Sequence, residues 1–271
     1  MKKIISFLLV LSTLLILAAC SSGEASGDKK ELKIGATSGP YADQLKESII
    51  PLLEKDGYKV KLVEFNDYIQ PNRALEEGSI DANVFQTSVY LEAFNKEHKT
   101  NLAIGHAVPT APIGLYSEKH KDVSDVKEGM KLTLSNDPVS MARALQMLER
   151  FGWITLAGEI DQTRASEKDI VDNKYKLDIV AMDGAQLPRS LGDTDFAFIN
   201  GNFAIASGLN LEDAVLLEDT PPEFMNNIAY HKDNLDETFA AAIKKAYHSE
   251  AFLKYTNENN AGFTKPDYQT E

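Results

Sequence analysis

Ser135-Asn136-Asp137-Pro138 leads into an apolar-periodic segment running to about Phe151, with Ser140 in its first turn and Arg143 one turn further on. A helix N-terminus presents free backbone N–H groups and the positive end of the helix dipole. A guanidinium beside it adds a planar fork matched to a carboxylate. The pattern suits an anion, and it also suits an ordinary capped helix whose Arg143 pairs with a surface acid. Arg73 and Arg189 lie on expected polar faces, where the second reading is the stronger. Asn200 ends the strand-like run FAFI just before Gly201. An amide at a strand's carboxyl end accepts from an ammonium and donates to a carboxylate, or it caps the helix that follows. Tyr68, Phe85 and Tyr90 crowd the stretch 67–95, DYIQPNRALEEGSIDANVFQTSVYLEAFN, among turn residues and short amphipathic segments. Aromatics grouped at loop ends line an apolar pocket or belong to the core.

Catalytic readings find little support. The five histidines, His98, His106, His120, His231 and His248, form no His-x-x-x-His pair for a metal, and no Gly-x-Ser-x-Gly or Gly-x-x-x-x-Gly-Lys motif occurs. Carboxylates are abundant but scattered. With 41 acidic against 28 basic residues the net charge is −13, which opposes nucleic-acid binding because that needs a basic footprint.

Lys2 and Lys3 precede a mostly apolar run from Ile4 to Ala19 that ends in LAAC. A charged n-region, a short h-region and a small-residue cleavage site read as a secretory signal peptide over 1–19; a membrane-spanning helix needs about 20 apolar residues. Leu17-Ala18-Ala19-Cys20 resembles a bacterial lipobox, which implies cleavage before Cys20 and attachment of lipid, with its acyl chains, to it. Those chains would hold the protein on the extracytoplasmic face of the cell membrane. Cys20 is the only cysteine, so no internal disulfide forms. Residues 20–31 are small and polar and read as a flexible tether.

The elements that would position the candidate residues alternate between strand and helix from Leu32 onward. Strand-like runs fall at Leu32–Thr37, Lys59–Phe65, Asp81–Gln86, Leu102–Val108 and Ile113–Tyr116, and then at Lys131–Leu134, Leu177–Met182, Phe196–Ile199, Ala214–Leu217 and Ile228–Tyr230. Helical spacing covers Tyr41–Lys55, where Pro51 implies a kink or early stop, Ser88–His98 with Ser88 as its cap, and a long stretch Leu235–Tyr255. The alternation predicts α/β units with largely parallel sheets. A pattern that restarts after Ser117 predicts two lobes: residues 32–114 and 210–271 in the first, 115–209 in the second.

Five segments taken in order, FNDYIQPNRALEEGSIDANVFQTSVYLEAFN, LSNDPVSMARAL, DIVDN, DGAQLPRSL and FAFINGNFA, resemble the methionine-binding lipoprotein family of ABC importers (the NlpA type) across essentially the whole mature chain. The resemblance implies a two-lobed extracytoplasmic solute-binding protein of α/β class, hinged and closing on a ligand between the lobes. It implies a small amino acid or short peptide as ligand, an ABC permease and its ATPase as partners, and no cofactor. By its motifs Tyr68, Phe85 and Tyr90 match the family's aromatic pocket, Arg143 the carboxylate-binding arginine and Asn200 the ligand-binding asparagine. Thr87 stands where the family has a pocket histidine, and Ser140 where it has an asparagine. Both are shorter than what they replace, which enlarges or rehydrates the site. The ligand expected is L-methionine or a closely related zwitterion, with a Met-containing dipeptide or another hydrophobic amino acid as alternatives. A surface lipoprotein that keeps the fold without transport is a further one.

Overall fold

Short β-branched and apolar runs bounded by glycine and asparagine turns build two five-stranded sheets, each flanked by helices whose apolar faces cover it. The computed structural model describes residues 29–270; the expected signal peptide, Cys20 and most of the expected tether lie outside the described residues. Sheet 1 has the order β2-β1-β3-β12-β4, from β1 (Glu31–Thr37), β2 (Lys59–Phe65), β3 (Ala82–Thr87), β4 (Leu102–Ala107) and β12 (Asn226–His231). Sheet 2 has the order β11-β5-β10-β6-β9, from β5 (Ile113–Tyr116), β6 (Lys131–Ser135), β9 (Asp178–Met182), β10 (Phe196–Asn200) and β11 (Leu216–Leu217). A small antiparallel pair, β7 (Ile154–Leu156) with β8 (Ile170–Asn173), is appended to sheet 2's lobe and has no counterpart in the sequence reading.

The sheets are mixed rather than largely parallel. β1, β2 and β3 run parallel, as do β6, β9 and β10. One strand in each sheet runs against its neighbours: β5 against both β10 and β11, and β12 against both β3 and β4. β5 and β11 both belong to sheet 2, so the chain crosses between lobes within residues 108–112 and 218–225. The boundaries expected at 114/115 and 209/210 lie outside those two windows.

Two helices differ from their sequence reading for local reasons. Residues 40–55 (α1) continue past Pro51 without a stop, because Leu45–Ile49 is wound as a π-turn between the α-helical pieces Pro40–Gln44 and Ile50–Lys55. The wider turn accommodates the missing N–H and the ring of Pro51. Leu235–Tyr255 is not one helix: α6 (Thr238–Tyr247) ends at His248, and Ser249 caps α7 (Glu250–Asn259) by accepting from the Phe252 N–H at 3.2 Å. The remaining helices are α2 (Gln70–Glu76), α3 (Ser88–His98), α4 (Pro138–Arg150) and α5 (Gly201–Ala206).

One half-buried group is expected to make this lobe sensitive to acid. His106 on β4 packs edge-on to Tyr247 at 5.2 Å, and its Nε2 is buried without a hydrogen-bond partner among the described residues. Burial, reinforced by the charges of His248 and Lys244, pushes its pKa down from 6.5 to about 3. The fold thus favours neutral imidazole, and this contribution is complete above pH 6.5 and declines as pH falls from there towards 3. Denaturant midpoints of the wild type should fall more steeply over that range than those of His106→Leu; parallel curves would refute the buried neutral ring.

Candidate functional site

The carboxyl ends of the parallel strands from both sheets meet at one cleft, the place where open α/β sheets hold ligands. β2 delivers Asp67 and Tyr68, and β3 delivers Phe85, Gln86 and Thr87. From the other lobe β6 leads into the start of α4, and β10 ends on Asn200. The antiparallel β12 begins at the same level, where Asn226 pairs in register with Thr87. All seven residues singled out from sequence, Tyr68, Phe85, Thr87, Tyr90, Ser140, Arg143 and Asn200, line a single inner slot together with Gln86, Ala111, Asp137, Val139, Asn202 and Asn226.

The first lobe contributes an aromatic corner. Tyr68 stacks on Phe85 at 5.6 Å, and Tyr90 meets both rings edge-on at 5.9 and 5.8 Å. The Tyr90 hydroxyl donates to the Tyr68 carbonyl at 2.9 Å, which fixes the loop carrying Tyr68. Beneath, a buried amide cluster anchors the end of β3: Asn72 and Gln86 exchange hydrogen bonds of 2.7 Å, and Asn83 donates to Asn72 at 2.9 Å. Fully satisfied buried networks of this kind hold side chains in one arrangement. Thr87, rather than Ser88, caps α3, its hydroxyl accepting from the Tyr90 N–H at 3.1 Å.

The second lobe contributes polar groups. Asp137 caps α4 by accepting from the Ser140 N–H at 2.8 Å, and burial raises its carboxyl above the ordinary range. Asn200 stands at the N-cap position of α5 but makes no side-chain cap; its amide donates to the Ser140 hydroxyl at 3.1 Å. Gly201 must lack a Cβ, because one would lie 2.5 Å from the Pro112 carbonyl oxygen and 2.6 Å from Ala111 Cβ on the first crossing. Arg73 and Arg189 are exposed, away from the slot.

Arg143 is already engaged. Its Nε donates to Glu218 at 2.9 Å and its Nη2 to the second Glu218 oxygen, leaving the Nη1 donors outside the ion pair. Both side chains are almost completely buried, at 6% and 2% exposed. The Phe224 ring lies 4.9 Å from the guanidinium carbon and Thr220 donates to Glu218 at 3.3 Å. Glu218 and Asn226 had no motif or spacing to mark them in the sequence, and Asn202, though inside FAFINGNFA, was not singled out. Glu218 opens the second crossing and Asn226 follows it, and Asn202 reads as one more residue of a short helix. Tyr41 on α1 joins both crossings, its hydroxyl accepting from the Ala111 N–H at 3.2 Å and from the Asn226 amide at 2.5 Å. Burial pushes its pKa up to about 12.

Outside the slot, across Tyr68, Tyr90, Asp137 and Val139, lies a wider chamber of ≈ 320 Å³ also lined by Asp67, Phe94 and Phe203. The inner slot is much smaller, ≈ 30 Å³. None of the described helices is long and apolar enough to cross a membrane.

Two α/β lobes, two crossings and a cleft at the strand ends define a solute-binding fold. Residues 32–268 match the family model of the NlpA lipoproteins, and the chain belongs to that family. It is 34% identical over 272 residues to the methionine-binding lipoprotein MetQ of Bacillus subtilis, covering 98% of this chain and 99% of that one. Identity to the D-methionine-binding lipoprotein MetQ of Salmonella typhi is 34% over 247 residues, or 90% of each chain. A solved nutrient-binding protein from Burkholderia cenocepacia, bound to methionine, superposes with a TM-score of 0.82 at 36% identity, covering 86% of this chain and 99% of its own.

Removing one partner of a buried ion pair strands the other charge. Glu218→Ala is expected to lower unfolding free energy by about 3–5 kcal/mol, read by chemical denaturation. A change below about 1 kcal/mol, the scale of an exposed pair, would show that Arg143 is solvated.

Proposed function

We propose that this chain is the lipid-anchored substrate-binding component of an ABC importer, capturing L-methionine or a closely related small zwitterion and delivering it to a permease and its ATPase. The observation that carries the reading is the meeting of an aromatic corner from one lobe with Arg143, Ser140 and Asn200 from the other on one narrow slot. An unbranched thioether chain suits a small slot with an aromatic wall. It gains apolar burial there, together with sulfur–aromatic contacts of roughly 0.3–1.5 kcal/mol. The α-carboxylate takes the donors of Arg143 outside its ion pair, and the carbonyl oxygen of Asn200, whose amide nitrogen is turned to Ser140, accepts from the ammonium. Thr87 and Ser140 are committed to α3 and Asn200, so neither projects into the slot as a longer side chain would. No step of bond making is involved: the protein binds, closes and hands over. Acyl chains on Cys20 keep it beside the permease. The names and the bound methionine of its relatives support the same ligand class.

Calorimetry of refolded protein against L-methionine, D-methionine, norleucine and leucine tests this. Methionine should bind, norleucine more weakly by about the sulfur–aromatic increment of 0.3–1.5 kcal/mol, and branched leucine worst. No binding of any of them would end the transport reading. Arg143→Lys keeps a cation beside Glu218 but loses the fork. It should weaken methionine binding by about 1.5–3 kcal/mol; unchanged affinity would place the carboxylate elsewhere.

A further inference from the structure

Asn202 is 5% exposed, and its Nδ2 is buried with no hydrogen-bond partner among the described residues. A buried, unpaired amide donor costs free energy, commonly about 1–3 kcal/mol, and it is retained where something else pairs with it. The side chain lines the inner slot. Its other end is occupied: Oδ1 accepts from the Tyr68 hydroxyl of the facing lobe at 2.7 Å. Because Tyr68 donates to the oxygen, the nitrogen is the end left unpaired. The ring of Tyr68 also stacks at 5.0 Å on Phe203, the neighbour of Asn202 in α5, and at 5.6 Å on Phe85 of its own lobe. Tyr68 is thereby held from both lobes, and Asn202 is the polar half of that grip.

We propose that Asn202 is a ligand-binding residue whose Nδ2 donates to the ligand carboxylate while its Oδ1 holds Tyr68, so that one amide links occupancy of the slot to closure of the lobes. A carboxylate is the acceptor that fits, since it offers about four lone-pair sites, more than the Arg143 donors outside the ion pair can fill. A ligand oxygen on Nδ2 fixes the amide plane and keeps Oδ1 turned towards the opposite lobe. In the empty, opened state both ends of the amide return to water. The inference rests on the reading that this slot receives a small zwitterion.

Calorimetry with L-methionine on the wild type, Asn202→Asp, Asn202→Ala, Tyr68→Phe and the Asn202→Ala/Tyr68→Phe double variant tests it. Asn202→Asp keeps the acceptor for Tyr68 and replaces the unpaired donor with a carboxylate oxygen. It should weaken binding by roughly 10–100-fold, the range for a hydrogen bond to a charged group. Tyr68→Phe keeps both stacks and loses only the cross-lobe hydrogen bond, for an expected loss of about two- to tenfold. The double variant should bind within about twofold of Asn202→Ala, because the link is already broken there. Should Asn202→Asp fail to fold, Asn202→Ala carries the same expectation of weakened binding. Affinity of Asn202→Asp or Asn202→Ala within about twofold of wild type would overturn the ligand contact, and multiplicative losses in the double variant would overturn the link to Tyr68. A wild type that binds no amino acid at all would instead overturn the transport reading, and with it this one.

Discussion

The buried ion pair between Arg143 and Glu218 is the constraint on which the rest of the cleft depends. Its two members are 75 positions apart, one in the second turn of α4 and the other where the chain leaves sheet 2 for sheet 1. Two charges taken out of water at that point are expensive, and their attraction repays the cost only with good geometry and further hydrogen bonds. The fork of Arg143, the Thr220 hydroxyl and the face of Phe224 supply that geometry. The pair ties α4 to the start of the second crossing. It determines where the second crossing runs against α4, and so which guanidinium edge is left for a ligand.

Around that pair the two lobes do different work. The first offers rigid apolar surface: three mutually packed rings over an amide cluster that leaves little freedom at the end of β3. The second offers hydrogen-bonding groups carried on helix starts, where backbone N–H groups and short side chains are already oriented. Neither surface closes around a zwitterion alone. Under the proposed function the apolar tail and the charged head of such a ligand would meet different lobes, so binding energy would be released in full only when the lobes come together.

Much of this could be read from residue order. Strand-like runs gave ten of the twelve described strands within a residue or two, and the turn after FAFI placed Asn200 at a strand's end. What escaped the sequence was decided by tertiary context. The small pair β7–β8 lacks a strong alternating run. The break at His248-Ser249 is set by a serine cap that an amphipathic pattern conceals. The π-turn in α1 answers a proline that usually ends a helix. At the site, the aromatics, Arg143 and Asn200 were legible because they sit in recognisable segments. Glu218 and Asn226 were not, because their roles arise only once the returning chain lies beside α4 and β3. Of the two readings of Arg143, the pairing with an acid is what is seen, with that acid buried rather than at the surface.

The position of β12 carries a consequence for how the molecule is made. It lies between β3 and β4, so sheet 1 is completed only by a strand that arrives about 120 residues after β4 has been laid down. Sheet 2, in contrast, draws its strands from the continuous stretch 113–217. Non-local pairing of the first kind is slow, because loop closure must precede the contacts that reward it. The lobe whose strands come first along the chain is therefore the last to be finished. Until β12 arrives, β3 and β4 each present an unpaired edge, the form in which a chain is most prone to associate with its neighbours.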